Sequence, residues 1–126
     1  MKNINTLSVL VLVVLSSCSG SDKYQGKWKG MDSKSNKFEI VFSPNSLSIK
    51  DSAGKLTDYS YTQNSYHSQN SVVTYGIQLE DGRGYQICFP KSSDESVALI
   101  KDENGVSLYT ISRKDYRTYE DIYKLN

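Results

Sequence analysis

The sequence VVTYGIQLEDGRGYQICF, residues 72–89, carries the clearest structural pattern in this chain. Large apolar side chains recur at every second position, and these positions are Val73, Tyr75, Ile77, Leu79, Tyr85, Ile87 and Phe89. A period of two is typical of β-strands with one buried face, so strands are predicted over 72–80 and 84–89. The DGRG at 81–84 between them is a strong turn signal. The segment therefore predicts an antiparallel β-hairpin.

Similar short segments lie on both sides of this hairpin. Alternating or aromatic-rich patterns predict further strands over 24–29, 37–42, 46–50, 56–61, 96–101 and 106–113. Pro44-Asn45, the DSAG at 51–54 and the DENG at 102–105 are turn signals between them. The polar segment 62–70 is predicted to be a loop or a weak edge strand, and 90–95 to be a loop.

The end of the chain has a different period. Tyr116, Tyr119, Ile122 and Tyr123 recur at spacings of three and four residues, which indicates a short amphipathic helix with Asp115 as its N-cap. A final strand is the alternative. The whole pattern predicts an all-β fold, a small antiparallel meander of about eight strands closed into a barrel, with a short C-terminal helix. A β-sandwich is the alternative fold.

The first eighteen residues have the layout of a secretory signal. Lys2 supplies positive charge, residues 7–15 are almost entirely apolar, and small residues precede Cys18. A membrane-spanning helix needs about 20 apolar residues, and this run is roughly half as long. The sequence Leu15-Ser16-Ser17-Cys18 resembles the lipobox of bacterial lipoproteins.

The lipoprotein resemblance implies that Cys18 becomes the lipid-modified first residue of the mature chain. Such lipoproteins carry several acyl chains, palmitate among them, and more than one chain gives a stable membrane anchor. Ser19 after the cysteine implies the outer membrane, with the protein facing the periplasm, whereas Asp22 leaves the cell surface as an alternative. The predicted organisation is a signal peptide at 1–17, a lipidated cysteine and flexible tether at 18–23, and one β domain at 24–126.

Charge and length narrow the possible partners. The 126 residues include 15 Lys and Arg against 14 Asp and Glu, and removal of the signal takes Lys2 away. The mature chain is then formally neutral and long enough for one domain. Binding to nucleic acid depends on a basic patch, so no nucleic-acid partner is predicted.

Gly26-Lys27-Trp28 on the first predicted strand resembles the Gly-x-Trp motif that opens lipocalin-like (calycin) barrels. The resemblance implies that Trp28 closes the barrel floor and packs against an arginine of the last strand, here Arg113. A lipocalin-like carrier would hold its ligand in a cavity lined by Phe38, Ile40, Val73, Tyr75, Ile77, Tyr85 and Ile87. A barrel of this size can equally be filled by its own side chains.

The sequence contains no constellation that indicates catalysis. His67 is the only histidine and falls in a segment predicted to be a loop, whereas a zinc site needs three or four ligands. No Gly-x-Ser-x-Gly nucleophile motif is present. Cys88, between Ile87 and Phe89, is predicted to be a buried core residue, with an intermolecular disulfide as the alternative. The prediction is therefore no enzyme, no metal and no cofactor.

Tyrosine is the most frequent aromatic residue, at ten against three phenylalanines and one tryptophan. Tyrosine combines a large apolar body with a polar tip and is enriched at interfaces. A protein-binding surface is accordingly predicted from Tyr59, Tyr61, Tyr66, Tyr116, Tyr119 and Tyr123. The alternative is that tyrosine simply suits half-buried strand positions.

These observations predict a non-catalytic envelope lipoprotein that binds a protein partner, such as an inhibitor or an immunity protein. Small envelope lipoproteins of this size include members of both classes. One alternative is a lipocalin-like carrier of a small apolar ligand. The other is a structural or assembly accessory of the cell envelope.

Overall fold

The computed structural model describes residues 19–123, so the predicted signal peptide and Cys18 lie outside the described residues. Eight strands and one short helix follow one another along the chain. They are β1 (Gly26–Met31), β2 (Lys37–Phe42), β3 (Ser46–Lys50), β4 (Leu56–Gln69), β5 (Val72–Leu79), β6 (Gly84–Phe89), β7 (Val97–Asp102), β8 (Ser107–Ser112) and α1 (Tyr119–Tyr123).

The strands form a closed antiparallel barrel in which each strand pairs with the next along the chain. β8 returns to β1 and closes the barrel, with Gly30 opposite Ile111. Closure removes the exposed strand edges that an open sheet of this size would present. The predicted all-β meander barrel with a short C-terminal helix is therefore confirmed, and the sandwich is excluded.

Alternate residues of each strand point into the barrel because side chains of a β-strand alternate between its two faces. This inward face forms one hydrophobic core. Its buried members are Tyr24, Trp28, Ile40, Phe42, Leu47, Tyr61, Tyr75, Ile77, Leu79, Ile87, Phe89, Ala98, Ile100 and Ile111. Burial of one such large side chain contributes about 1.5–3 kcal/mol, so this core is the main source of stability.

The two ends of the barrel are built differently. The turn end consists of the connections at 32–36, 51–55, 80–83 and 103–106. The plug end consists of the connections at 43–45, 70–71 and 90–96, together with the N-terminal residues 19–25 that lead into β1.

Three connections of the turn end share one hydrogen-bonded structure. Each begins with an aspartate, at Asp32, Asp51 and Asp102, whose carboxylate accepts from the backbone N–H groups two and four residues later. The backbone of each aspartate also pairs with the residues three and four positions on. An aspartate side chain that binds its own following backbone favours a tight turn, so these hairpins are specified locally.

β4 is longer than predicted. It continues from Leu56 to Gln69 and includes all but the last residue of the segment 62–70 that was expected to be a loop or a weak edge strand. A β-bulge between Gln63 and Ser65 shifts its pairing with β5. Its polar residues remain in the strand because β5 supplies backbone partners and because most of this part faces outward. His67 consequently lies on a strand rather than in a loop.

The C-terminal helix is shorter than predicted and begins later. It spans only Tyr119–Tyr123, and its N-cap is Thr118 rather than Asp115. Thr118 Oγ1 accepts from the Asp121 N–H at 3.2 Å, and the Asp121 carboxylate accepts from the Thr118 N–H at 3.0 Å. This reciprocal pair is a capping box, whereas Asp115 accepts from Arg117 Nε instead.

α1 lies against the outside of the barrel. Ile122 is 4% exposed and packs in a second, smaller cluster with Cys88, Val97 and Leu99. These three residues alternate with core residues on β6 and β7, so they belong to the outer face. Between residues 19 and 123, no helix is long and apolar enough to cross a membrane.

Candidate functional site

The residues that lead into β1 are bound to the plug end of the barrel. The Gly20 N–H donates to the Pro44 carbonyl at 2.8 Å, and the Ser21 N–H donates to Gln63 Oε1 at 2.9 Å. Gln25 Nε2 closes the segment on itself by donating to the Gly20 carbonyl. The prediction of a flexible tether as far as residue 23 is therefore wrong from Gly20 onward.

Gly20 lies so close to two tyrosines that no larger residue would fit without a shift. A β-carbon placed on it would lie 2.2 Å from the Tyr61 hydroxyl and 2.8 Å from the Tyr24 hydroxyl. Composition alone indicated flexibility, because Ser-Gly-Ser is typical of linkers. The structure shows that the missing side chain is what lets this segment approach two tyrosines.

Tyr24 fills the plug end from inside. Its side chain has no exposed surface, and its ring makes edge contacts with Phe42 and Tyr75 at centroid distances of 5.1 and 5.3 Å. Its hydroxyl donates to Gln63 Oε1 at 2.8 Å, beside the Ser21 N–H. Burial raises the pKa of the Tyr24 hydroxyl far above its ordinary value, so the group stays neutral and acts as a hydrogen-bond donor.

Trp28 and Arg113 form the floor of the barrel next to Tyr24. The Trp28 indole is 2% exposed and donates from Nε1 to the Tyr24 carbonyl at 2.8 Å. The Arg113 guanidinium lies 3.7 Å from the Trp28 ring centroid and donates to the Lys27 and Lys23 carbonyls. The contact between Trp28 and Arg113 that the lipocalin resemblance implied is therefore present. The polar groups of both side chains bond to backbone carbonyls of the barrel's own chain.

The backbone conformation explains why residue 26, two positions before Trp28, is a glycine. Gly26 has a φ of 106°, a value that residues with a side chain rarely adopt. A β-carbon there would also lie 3.0 Å from the Arg113 guanidinium. Burial lowers the pKa of Arg113, and the group still carries its charge because arginine remains protonated in proteins. That charge faces the tryptophan ring, a cation–π contact.

The positions predicted to line a cavity are packed within the core or against it. Ile40, Ile77 and Ile87 are 0–1% exposed, and Tyr75 is 7% exposed. Phe38, Val73 and Tyr85 are partly buried and pack against the same core cluster. Val73 and Tyr75 also border a pocket of about 100 Å³ at the plug end, and Ile77 and Tyr85 border an open groove of about 410 Å³.

The six tyrosines proposed as one surface do not lie together. Tyr61 is 3% exposed, and its hydroxyl donates to the Ser43 carbonyl at 2.5 Å, so it belongs to the core and is removed from the predicted surface. Tyr66 is the most exposed, at 59%, and contacts Tyr75 at the plug end. Tyr59 is half-buried with its ring 5.1 Å from the Arg83 guanidinium, at the turn end.

The remaining three tyrosines belong to the C-terminal segment. Tyr119 and Tyr123 are about half exposed on α1, and their rings lie 4.9 Å apart, tilted by 43°. Tyr116 is half-buried and lies on the outside of β1 and β2, where Lys29 and Lys37 reach its ring at 5.6 and 5.1 Å. Tyr116 therefore sits beside two lysines on the outside of the barrel.

We call this region the β1–β2 wall, formed by the outward-facing residues Lys27, Lys29, Lys37, Glu39 and Val41. Register places Lys27 opposite Val41 and Lys29 opposite Glu39. A groove of about 490 Å³ lies on the wall between Arg113 and Tyr116. The groove is open to solvent and has a mixed polar and aromatic lining.

The β1–β2 wall is basic although the mature chain is formally neutral. Its lysines 27, 29 and 37 take part in none of the ion pairs among residues 19–123. Lys50 of β3 lies opposite Glu39 and adds a further cation at the border. This wall is not evident in the sequence, because its members come from two strands and its neighbours Arg113 and Tyr116 follow β8. The available signal was the spacing of Lys27, Lys29 and Lys37, which share an outward face once the register is known.

Histidine and cysteine are common catalytic residues, and among the described residues neither His67 nor Cys88 lies beside a group that would activate it. His67 is exposed on β4, with Nε2 3.1 Å from Gln69 Oε1. Cys88 is 5% exposed beneath Ile122, as predicted for a buried thiol, although on the outer face of the barrel. Over the described range 19–123, no three His, Cys, Asp or Glu side chains are grouped to hold a metal ion.

Comparison with known proteins does not extend this description. No protein-family model matches the chain, and neither a curated protein nor a solved structure matches it. The candidate site is therefore defined by the geometry of the β1–β2 wall and of the plug end.

Proposed function

We propose that this chain is a non-catalytic, lipid-anchored protein of the bacterial envelope that binds a protein partner through the β1–β2 wall. The observation that carries the proposal is a contrast between inside and outside. The barrel interior is filled by its own side chains, while the outer wall presents a basic groove beside an aromatic ring. The lipobox-like sequence before Ser19 supports anchoring at Cys18, and Ser19 itself supports the outer membrane, facing the periplasm.

The chemistry of the wall favours an acidic protein surface as the partner. Lysines without ion-pair partners attract carboxylates and raise association rates. Tyr116 and Arg113 are of the residue types that dominate binding energy at protein interfaces. An inhibitor of an acidic enzyme, or an immunity protein against an acidic toxin domain, fits this description.

The alternatives differ in what they require of the barrel. A lipocalin-like carrier needs internal space, and the packing of Ile40, Ile77 and Ile87 gives it no support. The Gly-x-Trp and arginine resemblance then describes the architecture rather than a transport role. An assembly accessory would use the same outer wall, with a component of a membrane complex as its partner.

The test compares a wall variant with a control variant of equal charge. The wall variant carries Lys27→Ser, Lys29→Ser and Lys37→Ser. The control carries Lys34→Ser, Lys55→Ser and Lys91→Ser, which lie in exposed connections away from the groove. Each protein is cross-linked in its own host, and captured proteins are quantified by mass spectrometry.

The expected result is one protein captured at fixed stoichiometry by the native chain and by the control. Its affinity for the wall variant, measured by calorimetry with the purified partner, should fall about tenfold or more, since loss of charge pairs at interfaces costs over 1 kcal/mol each. Equal affinity for both variants would reject the wall as the site. A small molecule held at stoichiometry by all three proteins, without a captured protein, would instead support the carrier.

A further inference from the structure

We infer that acylation of Cys18 holds the barrel upright on the membrane, with the plug end against the lipid headgroups and the turn end pointing away. The inference rests on the proposed anchoring at Cys18 and adds an orientation to it. The evidence comes from the residues that immediately follow the anchor and from the charges at the two ends of the barrel.

The free chain between the anchor and the barrel is very short. Ser19 alone separates Cys18 from Gly20, whose N–H already donates to the Pro44 carbonyl. Two residues of extended chain span at most about 7 Å. The Cα of an acylated Cys18 therefore lies within about 7 Å of the Gly20 Cα, and hence of the plug end.

The segment after the anchor cannot swing freely. Its hydrogen bonds join residues distant in the sequence: Ser21 to Gln63, Gln63 to Tyr24, and Arg113 to Lys23. The buried Tyr24 ring fixes the segment to the core. A Ser/Gly-rich linker of the same length would behave as a random coil, but here most of it belongs to the folded barrel.

The charges of the two ends favour the same orientation. The turn end, with Asp102 included, holds six carboxylates and only three cations. The plug end, counted in the same way, holds three carboxylates and two cations, and Lys23 pairs with Glu95 at 2.9 Å. An anionic lipid surface attracts cations and repels carboxylates within a Debye length of about 8 Å. Inverting the barrel would bring the acidic turn end to that surface. A barrel lying on its basic β1–β2 wall is the competing arrangement, and it would place the two ends at similar distances from the lipid.

This orientation determines what the β1–β2 wall can reach. Strands of six residues are about 20 Å long, so the turn end stands well beyond the headgroups. Lys27 lies towards the plug end and Lys37 towards the turn end. The wall then stands along the membrane normal, accessible to a partner that approaches in the plane of the membrane.

The test measures the distance of each end from the lipid. The full chain is produced in a bacterium that acylates lipoproteins and is reconstituted in vesicles with acceptor-labelled headgroups. Donor dyes are attached to Ser93→Cys at the plug end or to Ala53→Cys at the turn end, both exposed positions. The native protein measures background labelling at the buried Cys88.

Energy transfer should be about twofold more efficient from position 93 than from position 53, because about 20 Å of strand separates the ends. A second pair of variants carries eight Gly and Ser residues inserted between Ser19 and Gly20. The insertion should make the two efficiencies equal while leaving acylation and vesicle binding intact.

Three outcomes separate this inference from the proposed anchoring. Unequal efficiencies that the insertion abolishes support the upright orientation. An acylated, vesicle-bound protein with equal efficiencies before insertion overturns the orientation and leaves the anchoring intact. A chain that carries no acyl mass at Cys18 and does not float with vesicles overturns both.

Discussion

The two ends of this barrel are stabilised over very different distances along the chain. At the turn end, the carboxylates of Asp32, Asp51 and Asp102 bond to residues no more than four positions away. A longer-range bond there joins the Gly84 N–H to Glu103, 19 positions on. At the plug end, Ser21 bonds to a residue 42 positions away and Arg113 to a carbonyl 90 positions away. The turn end is thus specified by local sequence, whereas the plug end exists only when the barrel is closed.

This difference predicts unequal consequences of mutation. A local turn can lose its hydrogen bonds without exposing the core, since the strands remain paired. Loss of the plug removes the cover of the core at one end and leaves buried groups without partners. We therefore expect substitutions at the plug end to cost more free energy of unfolding than those at the turn end.

The largest effect is expected for Tyr24→Ala. The substitution empties a fully buried site bordered by Phe42 and Tyr75 and leaves Gln63 with one bond fewer. Truncation of a buried aromatic residue typically costs about 3–5 kcal/mol. The free energy of unfolding, measured by urea denaturation of residues 19–126, should fall by that amount.

Tyr66→Ala is the matched control, because Tyr66 is 59% exposed on the same end of the barrel. Its cost should be within about 1 kcal/mol, since surface substitutions away from special features have small effects. Equal losses for the two tyrosines would contradict the view that Tyr24 acts as a plug.

A smaller loss is expected for Gly20→Ala. The added methyl would lie 2.2 Å from the Tyr61 hydroxyl, which is itself bonded to Ser43. Overpacking of this kind costs about 1–3 kcal/mol. Gly84→Ala is the control at the turn end, where the new methyl meets only Glu103, at 3.6 Å. If Gly20→Ala were as mild as Gly84→Ala, residues 19–23 would be a flexible tether after all.

The contrast between local and long-range contacts also explains which parts of the fold could be predicted from the sequence. The period-two pattern of residues 72–89 and the DSAG and DENG turns were sufficient to predict a meander barrel, because each acts over a few residues. The SGS at 19–21 has the composition of a linker, and its role depends on Tyr61 and Pro44, which only the closed barrel brings near. No local pattern contains that information.

The candidate site was hidden for a related reason. Lys27, Lys37 and Tyr116 are far apart in sequence, and only strand register and the path of the C-terminal segment bring them onto one wall. The tyrosine count included Tyr116 among the surface candidates. It could not separate Tyr116 from Tyr61, because both have the same chemistry and differ only in which face of the barrel they occupy.

At the turn end, Asp51→Ala should cost about 1 kcal/mol, because the loss of a side-chain cap on backbone N–H groups costs about that much. The carboxylate accepts from the Ala53 and Lys55 N–H groups. Asp51→Asn should restore most of the loss, since an amide oxygen can accept the same bonds. Urea denaturation of the three proteins measures this order, and an equal loss for both variants would show that charge rather than capping matters.

The three aspartate turns also differ among themselves at one position. The fourth residue of each turn has a positive φ, and it is Gly54 and Gly105 in two turns but Ser35 in the third, at 66°. The turn before β6 repeats the backbone pattern from Leu79, with Gly82 at the same place. Ser35 is thus the one non-glycine residue among four equivalent positions.

Ser35→Gly should therefore stabilise the protein by about 0.5–1 kcal/mol, because relief of the left-handed conformation outweighs the added freedom of the unfolded chain. Ser33→Gly is the matched control, as this exposed neighbour is absent from the positive-φ positions and gains only unfolded-state entropy. The two variants should shift the urea midpoint in opposite directions. A shift in the same direction would mean that the three aspartate turns are not equivalent, and that the local specification of the turn end does not extend to the connection between β1 and β2.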